Sequence, residues 1–346
     1  MTSLKWVQKL KADPLPWLLE RSDPDVRAVT LRDLLDVPAD DPDLLAAEAA
    51  AVENGSVASL LNEMHPDGYW VVEGPGYGPK YRSTVWSLIT LAQLGAKTHW
   101  DQRIITASNY VLDHALCEGG QFSSSKAPSG TVDCLQGNLC WALQEMGFSD
   151  ARLDKAYDWM ARTVTGEGIA PLSEKKAINR YYSGKYGPVF ACGANNKLPC
   201  AWGAAKVMLA FSCLPVEKHT PVISAAIKTG VDFLFSGGPL AADYPNGWAE
   251  KPSGNWWKLG FPVFYITDIL QVAQALVNLG YGSDPRLSDT LALIRSLQDE
   301  LGAWHLNFSY EGKMLVEFGP KKEPNKWVTL RALKALKAAE ACSDKK

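Results

Sequence analysis

A helix ended by glycine, a short turn and a capping aspartate recur three times in this chain. That order limits what the chain can fold into more than any other feature. Leu91-Ala92-Gln93-Leu94-Gly95 leads to Asp101-Gln102-Arg103-Ile104, and Leu143-Gln144-Glu145-Met146-Gly147 leads to Asp150-Ala151-Arg152-Leu153. Leu276-Val277-Asn278-Leu279-Gly280 leads in the same way to Asp284-Pro285-Arg286-Leu287. Glycine takes the left-handed conformation that stops a helix, and aspartate accepts the free N–H groups at the start of the next. Pro285 falls where a first helical residue tolerates proline. Each copy is an αα-hairpin.

Fainter copies extend the pattern. First helices of successive pairs are expected to begin near Val26, Ser83, Thr131, Pro199, Pro262 and Asn325, a period of roughly 50 to 65 residues. Second helices are expected over 43–64, 100–116, 150–165, 221–235 and 285–298, with Leu4 to Arg21 as the sixth partner. An alternating apolar pattern is confined to Trp304–Val316, where Gly312 is placed to turn a small β-hairpin. The expectation is a single all-α domain spanning residues 1–346.

A glycine and an aromatic follow the second helices, as Gly68-Tyr69-Trp70, Gly120-Gln121-Phe122, Gly247-Trp248 and Gly302-Ala303-Trp304. The last belongs to Gln298-Asp299-Glu300-Leu301-Gly302-Ala303-Trp304, the Gln-x-x-x-Gly-x-Trp core that recurs in squalene and terpene cyclases. On this motif and the helical repeat, the chain resembles the α/α-toroid superfamily of terpenoid cyclases and protein prenyltransferases. The repeat carries the resemblance over most of the chain, although one copy of the motif is complete. It implies an α6/α6-type toroid, with first helices inside and second helices outside. It also implies a bracing role for Gln298 and Trp304.

In such a ring, one rim carries the N-termini of the inner helices and the loops that lead into them: 74–81, 121–130, 180–199, 243–261 and 317–327. Long connections in a compact domain are usually functional. Tyr77, Tyr81, Trp86, Tyr181, Trp256, Trp257, Phe261 and Trp327 are expected to form an aromatic wall around a small apolar substrate. Their π faces stabilise a carbocation by ~0.5–2 kcal/mol per contact. The competing expectation is that they simply fill the barrel.

Asp133 opens an inner helix in Thr131-Val132-Asp133-Cys134. It reads either as an N-cap or first-turn acid interacting with the helix dipole or as a desolvated general acid. Cys134 and Cys140 lie about 240° apart around a helix, so they cannot share one metal, and both read as small buried hydrophobes. Asp268 follows an apolar run with Tyr265 three residues earlier, either as an acid/base pair or as a satisfied buried pair. Cys192 and Cys200 flank a loop that enters an inner helix, where a thiol pKa is lowered. Tyr182 is a further candidate base or relay. The resemblance supplies a precedent, since linalool dehydratase-isomerase enzymes, also α/α toroids, use paired cysteines with acid/base partners.

The same resemblance would place zinc on an Asp-x-Cys pair and a distant histidine. Here Asp133 and Cys134 are adjacent, and the corresponding later helix has no histidine. His114 and Cys117 are spaced to ligate together but end an outer helix. Asp40-Asp41-Pro42-Asp43 is the nearest string to the protonating acid motif of class II cyclases, and capping explains it. The magnesium-binding Asp-Asp-x-x-Asp of class I enzymes, phosphate-cradling loops and dinucleotide fingerprints do not occur. No metal and no cofactor are expected.

A formal charge of −3 without a clustered Lys/Arg stripe gives no case for nucleic acid. No apolar run approaches the roughly 18 residues of a membrane span, so no integral membrane association is expected. Seven scattered cysteines and a charged start at Lys5, Lys9 and Lys11 favour a reducing, cytoplasmic setting. Together these readings predict a terpene cyclase-like lyase or isomerase, working by metal-independent acid/base chemistry on an isoprenoid or aromatic compound. The alternatives are a carbohydrate-active hydrolase or lyase with two carboxylates on the same architecture, and a non-catalytic ligand- or protein-binding toroid.

Overall fold

Two kinds of helix build the protein, and their sequences decide which kind lies inside. The structure is a computed structural model that describes residues 6–177 and 179–343. Leu4 and Lys5, at the start of the expected N-terminal partner segment, lie outside the described residues. In chain order the helices are α1 (Leu15–Leu18), α2 (Pro24–Val29), α3 (Pro42–Asn54), α4 (Ser56–Asn62), α5 (Thr84–Gln93), α6 (Gln102–Ala115) and α7 (Asp133–Glu145). They continue with α8 (Ala151–Thr165), α9 (Ala201–Cys213), α10 (Pro221–Ser236), α11 (Ile269–Leu276), α12 (Ser288–Ser296) and α13 (Lys326–Ser343).

In α5 every residue from Thr84 to Ala92 is buried, and in α9 every residue from Gly203 to Phe211. A helix that is apolar all round must be enclosed, whereas a single apolar face suits the surface. α8 shows the second pattern: Leu153, Ala156, Tyr157 and Met160 turn inward, and Asp154, Lys155 and Asp158 do not. The enclosed helices pack in chain order, α5 on α7, α7 on α9, α9 on α11 and α11 on α13, and α13 contacts α2. α5–α6, α7–α8, α9–α10 and α11–α12 follow the same hairpin logic, each second helix against its own first helix.

The hairpin turns are made as their sequence implies. Asp101, Asp150 and Asp284 each accept the backbone N–H two residues on, from Arg103, Arg152 and Arg286, at 2.8, 2.7 and 2.9 Å. Each arginine also folds back onto its own aspartate. Gly95, Gly147 and Gly280 have φ of 76°, 78° and 92°.

The glycine–aromatic elements are braces. Trp304 donates from Nε1 to the Ile294 carbonyl at 2.7 Å and from its backbone N–H to Thr329 Oγ1 at 2.9 Å. Trp70 repeats both contacts, with the Leu60 carbonyl at 2.8 Å and Thr84 Oγ1 at 3.2 Å. Gln298 donates to the carbonyls of Gly302 and Ala12, and so joins the last hairpin to the N-terminal segment. A Cβ on Gly302 would sit 2.8 Å from the Ala12 carbonyl oxygen, so only glycine allows this approach.

Three expectations change. The inner helix expected near Pro262 begins at Ile269, because Asp268 caps it. The segment 304–316 makes no ladder around Gly312; its region forms isolated bridges, Gly260 with Phe308 and His305 with Pro324. The second helix expected over 43–64 is split into α3 and α4 at Gly55. There Asp25 accepts the N–H groups of Ser56 and Val57 at 2.7 and 3.1 Å. This run, Pro42–Asn62, is long and apolar enough by length and composition to cross a membrane. In the fold, α3 packs against α2.

Candidate active site

The site starts from a close approach of two enclosed helices. A Cβ on Gly137 of α7 would lie 2.6 Å from the Lys206 carbonyl carbon of α9. One on Gly203 of α9 would lie 3.0 Å from Asp133 Cβ. With glycine at both positions, the first turn of α7 rests against the first turn of α9. Asp133 and Cys134 thereby come beside Cys200, which occupies the N-cap position of α9.

The loop before α9 adds a second sulfur. Ala191 bridges to Gly187 and to Pro199, and the Cys200 N–H donates to the Phe190 carbonyl at 2.9 Å. Cys192 opens the short 3-10 turn Gly193–Asn195. The Cys200 thiol donates to Cys192, and this pulls the Cys192 thiol down to about 6. Burial opposes the shift, and the N–H groups of Ala194 and Asn195 add to it. Cys200 is pushed well up, first by holding its proton for Cys192 and then by burial.

Asp133 is the reverse case. It is 6% exposed, and its Oδ2 makes no hydrogen bond among the described residues. Burial, with a smaller contribution from the Cys192 charge, raises its carboxyl to about 8. The N-cap position of α7 belongs to Val132, and Asp133 is an acid of the first turn, as one of the sequence expectations had it. Cys134 is pushed up to about 12, chiefly by burial.

Lys206, fully buried in α9, completes the group. Its ammonium donates to Thr267 Oγ1 at 2.6 Å and to Gln271 Oε1. Burial lowers it to about 7, partly offset by Asp268 and Cys134. Sequence reading missed this residue. A lone cation in Ala201-Trp202-Gly203-Ala204-Ala205-Lys206-Val207-Met208 was the available signal, because a lysine enclosed by apolar neighbours needs a specific reason to be there.

Asp268 is not an available acid. It caps α11 through the Gln271 N–H at 2.8 Å and accepts the Gly260 N–H at 2.9 Å. Arg331 grips both of its oxygens at 2.8 Å each. Burial opposes ionisation, but Arg331 overcomes it and holds the carboxyl below its ordinary value. Tyr265 does not pair with it. Its hydroxyl meets that of Tyr81 at 2.8 Å.

The expected aromatic wall is divided into separate clusters. Tyr77 and Tyr81 pack on Trp86, and Tyr81 also contacts Phe264, Tyr265 and Tyr310, the last unnoticed in the sequence. Burial pushes Tyr77 up to about 12, with Cys134 next among the causes. Tyr181 lies with Trp159 and Tyr186 and donates to the Thr163 carbonyl at 2.9 Å. Tyr182 sits under the Arg180 guanidinium, 4.3 Å from its ring centroid. Phe261 stacks on Trp327 at 5.1 Å. Trp256 and Trp257 donate to the carbonyls of Pro239 and Leu240.

His114 and Cys117 take different neighbours, the Tyr110 ring and the Lys126 carbonyl. Among the described residues, no group of three or more His, Cys, Asp or Glu side chains is arranged to hold a metal ion. The chain matches no protein-family model and no curated protein. The chemistry of the site must carry the functional reading.

Proposed function

We propose that this chain is an α6/α6-type toroid and a terpene cyclase-like, metal-independent lyase or isomerase. Asp133 is its acid and Cys192 its base, acting on a small apolar substrate. The order of helix contacts from α5 to α13 and back to α2 supports the ring, as does the tie from Gln298 to Ala12. The observation that carries the function is the inversion of two ionisations on interacting groups. A carboxyl raised to about 8 and a thiol lowered to about 6 leave the acid protonated and the sulfur ionised at neutral pH.

In a lyase step, the Cys192 thiolate takes a proton from carbon while the Asp133 carboxyl protonates a leaving hydroxyl. Water departs, the C–H electron pair becomes the new double bond, and Asp133 is left as carboxylate. In an isomerase step, Asp133 protonates one carbon of an alkene and Cys192 removes a proton from another. Return of the Cys192 proton to Asp133 restores both groups. Cys200 holds Cys192 ionised in the resting state. Seven free thiols suit a reducing, cytoplasmic setting.

The sugar-hydrolase alternative needs two carboxylates on one substrate. Asp133 instead has sulfur neighbours, and Asp268 is tied to Arg331. The mutually packed Tyr81, Trp86, Tyr265 and Tyr310 favour a filled, non-catalytic toroid. A buried, unpartnered acid beside an ionised thiol has no use in that reading.

The test is to incubate the protein in D2O with a panel of small allylic alcohols and alkenes and to follow deuterium entering carbon. The proposal expects exchange or dehydration of at least one compound, abolished in both Asp133→Asn and Cys192→Ala. Turnover that survives both substitutions, or none across the panel, would refute it.

A further inference from the structure

A recess opens to solvent beside Cys200, one of the sulfur pair. Its volume is about 220 Å³, and Cys200, Ala201 and Trp202 lie on the side of α9. Tyr244, Trp248 and Trp256, from the loop between α10 and α11, form the other side. No lining residue carries a charge.

Three of the polar side chains in the lining are already engaged. The Asn195 amide donates to the Pro199 and Pro245 carbonyls and accepts the Gly247 N–H. Asn246 accepts the Trp248 N–H and donates to the Lys251 carbonyl. Tyr244 donates to the Leu234 carbonyl at 2.6 Å. Most of the remaining lining offers a ligand aromatic face and aliphatic surface.

Trp248 is the unusual member. It is 72% exposed, yet its Nε1 is fixed on the Ala194 carbonyl at 2.6 Å. An indole held in place while its face stays in water offers a stacking surface that needs no ordering when a ligand arrives.

We infer that this recess is a binding site for a neutral compound of one ring, a monocyclic terpenoid or simple aromatic, seated between the Trp248 and Trp256 side and Cys200. The inference rests on the proposal that the Cys192–Cys200 pair is the reactive centre, and it narrows the substrate class. An anion such as a diphosphate or carboxylate finds no cation here. Size points the same way. An apolar cavity of about 150 Å³ holds benzene, so this recess takes one ring with short substituents and excludes a polycyclic chain.

The experiment titrates the full chain with 4-nitrobenzyl alcohol and, separately, with 4-nitrobenzoate, following tryptophan fluorescence. The same samples are treated with N-ethylmaleimide, and modified cysteines are mapped by peptide mass spectrometry. The expected result is saturable quenching by the alcohol alone, weakened about fivefold in Trp248→Ala. Saturating alcohol also slows alkylation at Cys192, the ionised sulfur of the pair. Equal binding of the benzoate, no saturable binding, or binding unaffected by Trp248→Ala overturns the inference. So does binding that leaves Cys192 unprotected. If Cys192 proves inert toward the reagent while binding and its Trp248 dependence hold, the recess stands and the acid/base reading falls.

Discussion

Replacing Cys200 with alanine removes the thiol whose hydrogen bond does most to keep Cys192 ionised. The remaining Ala194 and Asn195 N–H groups must then work against burial alone. The Cys192 thiol therefore climbs from about 6 toward its ordinary 9.0. At pH 7 the thiolate fraction falls from about 90% to about 1%. Each thiolate becomes more nucleophilic as its basicity rises, by about 0.4–0.5 log unit per pKa unit, or roughly 20-fold over three units. Alkylation of Cys192 by iodoacetamide at pH 7 is thus expected to slow only about fourfold, while at pH 10 the variant reacts roughly 20-fold faster than the parent. The two rate–pH profiles cross. The assay is the alkylation rate of Cys192 between pH 5 and 10, resolved by peptide mass spectrometry, with circular dichroism to confirm the fold. A parent midpoint near 9, or a midpoint that Cys200→Ala leaves in place, would refute the sulfur–sulfur account.

Other consequences concern stability. Asp133 has a folded-state pKa of about 8 against an ordinary 3.8, so the folded protein binds the extra proton between those values. Stability should fall as pH rises from about 4 to 8, by at most on the order of 5 kcal/mol. Urea midpoints for Asp133→Asn should be flatter over that window, and parallel profiles would count against a protonated Asp133. Gly137→Ala drives a methyl against the Lys206 backbone and should cost about 1–3 kcal/mol or more by urea unfolding. No loss would mean that α7 and α9 are farther apart than described. Arg331→Met leaves Asp268 buried without its partner and should destabilise the protein by about 3–5 kcal/mol. Any deuterium exchange per folded molecule should persist, because Asp268 is a brace. Loss of exchange at unchanged stability would reinstate it as a catalytic group.

Local sequence carried the hairpins. Gly95, Asp101 and Arg103 sit within one turn of one another, and everything that fixes the geometry lies inside that window. Trp304 and Gln298 were legible as braces for a similar reason, although the Ala12 carbonyl that Gln298 holds is far away in the chain. Asp268 stayed open between an acid and a satisfied buried residue because its partner Arg331 is 63 residues away. A lone aspartate after an apolar run looks the same whether it caps a helix or waits in a cavity. Trp304–Val316 has the alternation of a hairpin, but brace contacts to Thr329 and Ile294 take its first residue out of any ladder. Among the site residues, Asp133, Cys192 and Cys200 were visible as residue types at helix starts. Lys206 and Tyr310 were not singled out, because their meaning depends on which helix faces which.

The central claim is the inverted protonation of Asp133 and Cys192, and infrared difference spectroscopy across pH reads the carboxyl directly. With Asp133→Asn as the reference, the account predicts a protonated carboxyl band in the parent at pH 7 that disappears above about pH 8. Thiolate absorbance assigned to Cys192 should appear from about pH 6 upward in the same samples. A parent spectrum at pH 6 that already lacks the Asp133 carboxyl band would contradict the account.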